Sequence, residues 1–146
     1  MPSARQSITI QAPSASVMAV ITDFASYPDF LPEIRSTEVL LAESGVWEVR
    51  FTIEVIRRLS YTLRLVQDTP HSLSWTLLEG VFRANDGGWS LAEESDGETA
   101  AEYRIDVRLG MFVPGNIVHS LVERGLPRTL RRFKDEAERR RAVELH

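Results

Sequence analysis

Two hydrophobic periods divide the chain. Between Ile34 and Leu109, Trp47, Val49, Phe51 and Ile53 alternate with Glu48, Arg50, Thr52 and Glu54, and Tyr61, Leu63 and Leu65 alternate with Ser60, Thr62 and Arg64. The same wet-and-dry pattern runs through Leu73, Trp75 and Leu77 and through Tyr103, Ile105, Val107 and Leu109. A period of two puts every one of these apolar side chains on one face of successive strands. Turn formers at Ser44-Gly45, Asp68-Thr69-Pro70, Asn85-Asp86-Gly87-Gly88 and Ser95-Asp96-Gly97 leave only short connections, so the strands form an antiparallel meander with one solvated face.

The dry face needs a cover, and the last quarter of the sequence supplies one. Val118, Val122, Leu126, Leu130, Phe133 and Ala137 recur at spacings of four and three, with Ile117 and Leu121 widening the stripe and Arg124, Arg128, Arg131, Arg132 and Glu138 outside it. The spacing predicts a helix over Pro114 to Arg141, kinked near Gly125 and Pro127 or broken there into two, because an internal proline loses a hydrogen bond and crowds the preceding turn. Upstream, Ser7 to Gln11 reads as a first strand around Ile8 and Ile10. Ser14 then reads as the N-cap of a short helix carrying Val17, Met18, Val20 and Ile21. A second short helix over Tyr27 to Leu31 tucks its aromatics inward between Pro28 and Pro32.

At 146 residues the chain fits a single domain, residues 1–146, large enough to bury a core without disulfides or metals. A net charge of −4 argues against a nucleic-acid footprint, so no DNA partner is expected. The absence of cysteine removes disulfides, thiol nucleophiles and Cys-ligated zinc from consideration. His71, His119 and His146 have no metal-ligand spacing, and neither a metal nor a redox cofactor is expected. Nucleophile elbows, phosphate-cradling glycine loops, dinucleotide fingerprints and H-E-x-x-H are all missing. Without an apolar leader or a membrane-length apolar run, the expected compartment is the cytoplasm.

The order of strand, two short helices, six-strand meander and long C-terminal helix resembles the helix-grip fold of the START-like, polyketide cyclase-dehydrase (SRPBCC) superfamily. Tyr27-Pro28-Asp29-Phe30-Leu31-Pro32 is similar to a segment of the branch containing coenzyme Q-binding proteins and the ribosome-association toxin. Leu78-Glu79-Gly80-Val81-Phe82 followed by Trp89-Ser90-Leu91 is similar to that branch's glycine-phenylalanine bend and the tryptophan of its next strand. Glu33-Ile34 stands where the branch usually has a tryptophan and a cysteine, Val81 where it has a proline and Leu91 where it has an aromatic. The resemblance implies an α+β, Bet v-like fold: a curved antiparallel sheet wrapped around the C-terminal helix. Members of this fold bind lipids, quinones, sterols, polyketides or plant hormones.

Several residues are candidates to line a cavity under the helix. Phe24, Tyr27, Phe30 and Leu31 form either one pocket wall or ordinary core, since aromatics dominate both. Phe51, Tyr61, Trp75, Trp89 and Tyr103 project onto the dry face, with Tyr61 and Tyr103 suited to orient a ligand oxygen. Phe82 extends this set on a neighbouring loop, and Val122 and Leu126 extend it on the helix. Met111, Phe112 and Val113 form the cavity mouth, a membrane contact or a plug on the core. His119, at the edge of the helix stripe, is either an acid or base toward an enclosed ketone or a boundary histidine. The acidic run Glu93-Glu94-Asp96 and the helix arginines are most simply solvated, with a ribosome, RNA or anionic-lipid contact the alternative for the arginines.

The expected function is non-covalent binding of a hydrophobic small molecule: a lipid, a prenyl quinone or a polyketide-like aromatic. The rivals are a metal-free cyclase, aromatase or dehydratase using His119, Tyr103 and Tyr61, and a protein that docks on the ribosome or a respiratory complex.

Overall fold

The computed structural model describes residues 3–54, 57–108, 110 and 125–145. Strand β1 (Ser3–Ile10) leads into helix α1 (Ser14–Ile21), a 3-10 turn over Phe24–Ser26 and the single-turn helix α2 (Tyr27–Phe30). The meander follows as β2 (Ile34–Glu43), β3 (Val46–Glu54), β4 (Arg58–Thr69), β5 (Ser72–Gly80), β6 (Ala84–Ser95) and β7 (Glu98–Arg108). Helix α3 (Gly125–Glu144) then runs back across the sheet. At 1.5 Å per residue its 20 residues span about 30 Å.

All seven strands form one antiparallel sheet in the order β1-β7-β6-β5-β4-β3-β2. β1 is longer than its alternating core suggests, because Ser3 to Gln6 also pair with β7 (Ser3 with Asp106, Gln6 with Tyr103). Register keeps one face dry: Phe51 sits opposite Tyr61, Leu65 opposite Trp75, and Trp89 opposite Tyr103. On the wet face ion pairs such as Arg50–Glu38 and Arg64–Glu48 bridge neighbouring strands.

Two local expectations change. Asn85-Asp86-Gly87-Gly88 is not a turn but the start of β6. The two glycines signal close approach rather than reversal, as glycine inside a strand often does. A Cβ on Gly87 would lie 2.3 Å from the Arg104 carbonyl oxygen and 2.5 Å from the Trp75 ring. Ser14 is the first helical residue and not a side-chain cap; its N–H donates to the Glu93 carboxylate at 2.8 Å. Glu93 therefore binds the positive end of α1 and is not simply a solvated turn residue.

The core lies between the dry face and the helices. Val17, Met18, Val20 and Ile21 of α1 and Leu126, Leu130, Phe133 and Ala137 of α3 are all buried, as their stripes predict. Pro127 sits in the first described turn of α3. A kink or break upstream of it, with Pro114, Ile117, Val118, Leu121 and Val122, lies outside the described residues. Arg140 fastens α3 to the end of α1 by pairing with Asp23 at 3.0 Å, and it also holds Glu136 at 2.7 Å. Among the described residues no helix is long and apolar enough to cross a membrane.

Candidate functional site

Between the dry face and α3 the core does not close, leaving a cavity of about 160 Å³. That is roughly ten times the space one buried water needs. β3 and β4 contribute Phe51, Ile53, Tyr61, Leu63 and Leu65; β5, β6 and β7 contribute Leu73, Trp75, Asn85, Trp89, Tyr103, Ile105 and Val107. Phe82 lines it from the bend between β5 and β6, while Tyr27, Leu31, Glu33 and Ile34 form the wall around α2. Gly125, Thr129 and Phe133, at spacings of four on α3, supply the roof.

Aromatic contacts run round this space as an open ring. On one side Tyr27 meets Phe133 (5.4 Å between ring centres), Phe133 meets Trp89 (5.1 Å), Trp89 meets Tyr103 (4.9 Å) and Tyr103 meets Trp75 (5.4 Å). On the other, Tyr27 meets Phe51 (6.1 Å), which stacks on Tyr61 (5.6 Å), and Tyr61 meets Phe82 edge-on (5.4 Å). Each such contact stabilises by about 0.5–1.5 kcal/mol beyond the area it buries. Rings braced by rings hold the cavity wall in shape instead of collapsing into it.

Two glycines make room for the key rings. Gly80, at φ +141°, packs so tightly that an added Cβ would lie 2.5 Å from the Tyr61 Cβ. Gly87 does the same for Trp75. The β5–β6 ladder stops at this point, its last pair being Trp75 with Gly87. Beyond it a side-chain bond replaces the backbone: the Trp75 indole N–H donates to Asn85 Oδ1 at 3.1 Å, in a buried setting.

Among the described residues the cavity's polar groups are few. The Tyr27 hydroxyl donates to the Ile21 carbonyl oxygen. The hydroxyls of Tyr61 and Tyr103 have no hydrogen-bond partner among the described residues. Burial pushes all three phenols well above the usual phenol range, with mutual repulsion between neighbouring phenolates adding to it for Tyr27 and Tyr103. They are therefore neutral hydrogen-bond donors at any biological pH. Glu33 is the one charged side chain in the lining among the described residues. No group of His, Cys, Asp or Glu among the described residues is placed to hold a metal.

Eight residues singled out from sequence line the cavity: Tyr27, Leu31, Phe51, Tyr61, Trp75, Phe82, Trp89 and Tyr103. Phe24, Phe30 and Leu126 do not. Phe24 is buried behind the wall, edge-on to Trp47 at 5.5 Å. Phe30 packs outside it on Phe133 at 5.3 Å, and Leu126 points into the core on the flank of α3 next to the cavity face. Met111, Phe112, His119 and Val122 lie outside the described residues. The sequence reading missed Asn85, Glu33 and Thr129. A signal for Asn85 was present: carrying the alternation of Leu91 and Trp89 back through Gly87 puts Asn85 on the dry face.

Residues 10–134 match the family described as polyketide cyclase/dehydrase and lipid transport, and the chain belongs to it. The fold is similar to the Zhui aromatase/cyclase from Streptomyces sp. R1128, with TM-score 0.83 and 21% identity over 95% of this chain and 94% of that one. It is also similar to a START superfamily protein from Mycobacterium smegmatis, with TM-score 0.82 and 17% identity over 94% and 97% of the two chains. Ara h 8.0201 shares the fold at TM-score 0.69 and 14% identity over 93% and 97%. No curated protein matches the chain by sequence. The helix-grip architecture and membership of the superfamily are thus established at the level of the family, not of the coenzyme Q-binding or toxin branch.

Proposed function

We propose that this protein binds an oxygen-bearing aromatic or polycyclic molecule non-covalently in the cavity between its sheet and α3. The observation that carries the reading is the aromatic ring around a cavity whose polar lining, among the described residues, comes down to a few neutral side chains and one carboxylate. Flat rings stack on such walls, and each Å² of apolar surface withdrawn from water contributes roughly 25 cal/mol. A flexible acyl chain would use the same apolar area but little of the ring geometry, so an aromatic polyketide-like compound or a quinone ring fits better than a simple fatty chain.

Trp75 and Trp89 in the wall provide the test. Organic extraction of the purified protein followed by mass spectrometry should yield an aromatic compound in near-stoichiometric amount. Titrating the emptied protein with it should quench tryptophan fluorescence. Tyr61→Phe should weaken binding several-fold and Trp75→Ala more, while changes at Arg50 or Arg64 on the wet face should not. Unchanged affinity in folded Tyr61→Phe and Trp75→Ala would defeat the assignment of the site.

A second reading, catalysis of cyclisation or dehydration, draws support from the neighbouring phenols Tyr61 and Tyr103 and from the fold's likeness to an aromatase/cyclase. Neutral phenols can polarise a ketone and favour its enol. Turnover of a poly-ketone that is lost in Tyr103→Phe without loss of binding would favour this reading. Stoichiometric binding without turnover would favour the carrier.

A further inference from the structure

We infer that Asn85 is an orientation-locked hydrogen-bond donor that makes this cavity selective for ligands carrying a carbonyl oxygen. The inference rests on the binding reading above and names the ligand chemistry at that site. Asn85 is 95% buried, its relative exposure being 5%, and it lies in the cavity wall. A free asparagine amide can turn over and offer either its oxygen or its nitrogen. This one cannot, because its neighbour is the Trp75 indole, a donor with no acceptor capacity. Asn85 must present Oδ1 to Trp75 Nε1, as it does at 3.1 Å, and that leaves the Nδ2 amino group directed away. Nδ2 has no protein acceptor among the described residues.

Trp75 is itself tightly packed. Its ring lies over Gly87 so closely that a Cβ there would fall 2.5 Å away, and it packs on Tyr103 at 5.4 Å between ring centres. The lock is therefore built from backbone, indole and amide together, at the point where the β5–β6 ladder ends. An amino group held this way asks for an acceptor. A ketone or quinone oxygen satisfies it at no further cost, whereas an alcohol must also place its own proton, and a hydrocarbon leaves the amino group unpaired and desolvated.

A matched series of three-ring probes isolates the oxygen: fluorenone, fluorenol and fluorene share a skeleton and differ in carrying a ketone, an alcohol or neither. Titration by tryptophan fluorescence or calorimetry should place fluorenone about tenfold tighter than fluorene, with fluorenol between them. In Asn85→Leu the ketone's advantage should shrink to within about threefold while fluorene binds at least as well as before. Asn85→Asp keeps an acceptor for Trp75, and at neutral to alkaline pH it should disfavour fluorenone relative to fluorenol. The carbonyl stretch of bound fluorenone should move to lower frequency in the wild type and move back in Asn85→Leu. If all three probes bind the wild type equally, or if the ketone advantage survives in Asn85→Leu, the donor role falls while hydrophobic binding stands. If none of the three binds, the cavity reading itself falls and the inference with it.

Discussion

Gly87 is the residue on which the site turns, because it lets Trp75 cross the backbone of β6 and reach Asn85. Gly87→Ala would force a methyl group into the Arg104 carbonyl and the indole at once. Overpacking of this kind costs about 1–3 kcal/mol, so the variant should unfold at clearly lower denaturant and lose affinity for aromatic ligands. Thr62 poses the opposite case. Its side-chain oxygen is buried with no hydrogen-bond partner among the described residues, beside a register shift between β4 and β5. An unpaired buried hydroxyl is a standing cost, and valine has nearly the same shape. Thr62→Val should therefore stabilise the fold by about 1 kcal/mol in urea denaturation. Both positions look ordinary in sequence: a glycine in an apparent turn and a threonine on a wet strand face.

Among the elements, the α1–α3 junction gathers several charged contacts. Glu93 holds the N-terminus of α1, the Glu138 carboxylate receives both the Gln11 backbone N–H and the Lys134 ammonium, and Arg140 joins Asp23 to Glu136. Hydrogen bonds from Arg139, and with them Arg140, hold the Glu136 carboxyl below its usual 4.5. A carboxyl lowered in the folded state contributes stability that is present above about pH 4.5 and lost as the pH falls through its folded value. Glu136→Gln should thus flatten part of the acid limb of a stability profile while costing less than about 1 kcal/mol at neutral pH, because the pair is near the surface. Arg140→Ala, which frees Asp23 as well, should cost more and loosen α3 from α1, measurable as faster amide exchange in both helices. The helix arginines are accordingly divided: Arg139 and Arg140 are paired, whereas Arg128, Arg131 and Arg132 face solvent.

For the whole molecule, three phenols facing one cavity, Tyr27 buried and Tyr61 and Tyr103 half-buried, set an alkaline limit. Tyr27, Tyr61 and Tyr103 are each raised in the folded state, burial being the first cause. The unfolded chain releases these protons near the ordinary value of 10.0 while the folded chain retains them. Stability from this source is complete below about pH 10 and falls as the pH rises beyond it, by up to about 4 kcal/mol per pH unit with three groups acting together. Urea midpoints measured from pH 8 to 11 should drop steeply at the top, and Tyr61→Phe with Tyr103→Phe should soften the drop. A bound aromatic should raise thermal stability at every pH, by about 2.7 kcal/mol at a hundred times its Kd.

The architecture was legible in the sequence because burial in a one-sided sheet and under an amphipathic helix enforces a period, and periods survive in a linear string. Trp47 to Ile53, Tyr61 to Leu65 and Leu126 to Ala137 announce their own faces, and two-residue turns leave antiparallel pairing as the natural connection. The same logic placed Tyr61, Trp75, Trp89 and Tyr103 toward one space. What the alternation could not say is which inward residues meet protein and which meet a void. Phe24 and Phe30 carry the same signal as Tyr27, yet only Tyr27 lines the cavity, because depth behind α2 is a property of three-dimensional packing. Asn85 was obscured for a related reason, although its parity with Trp89 and Leu91 puts it on the dry face. Asn-Asp-Gly-Gly is turn chemistry in isolation, and only the indole of Trp75, ten residues earlier, needs the glycine as a groove and the asparagine as its acceptor. Local pattern thus determined the elements and their faces, while contacts between elements decided the cavity and the polarity of its wall.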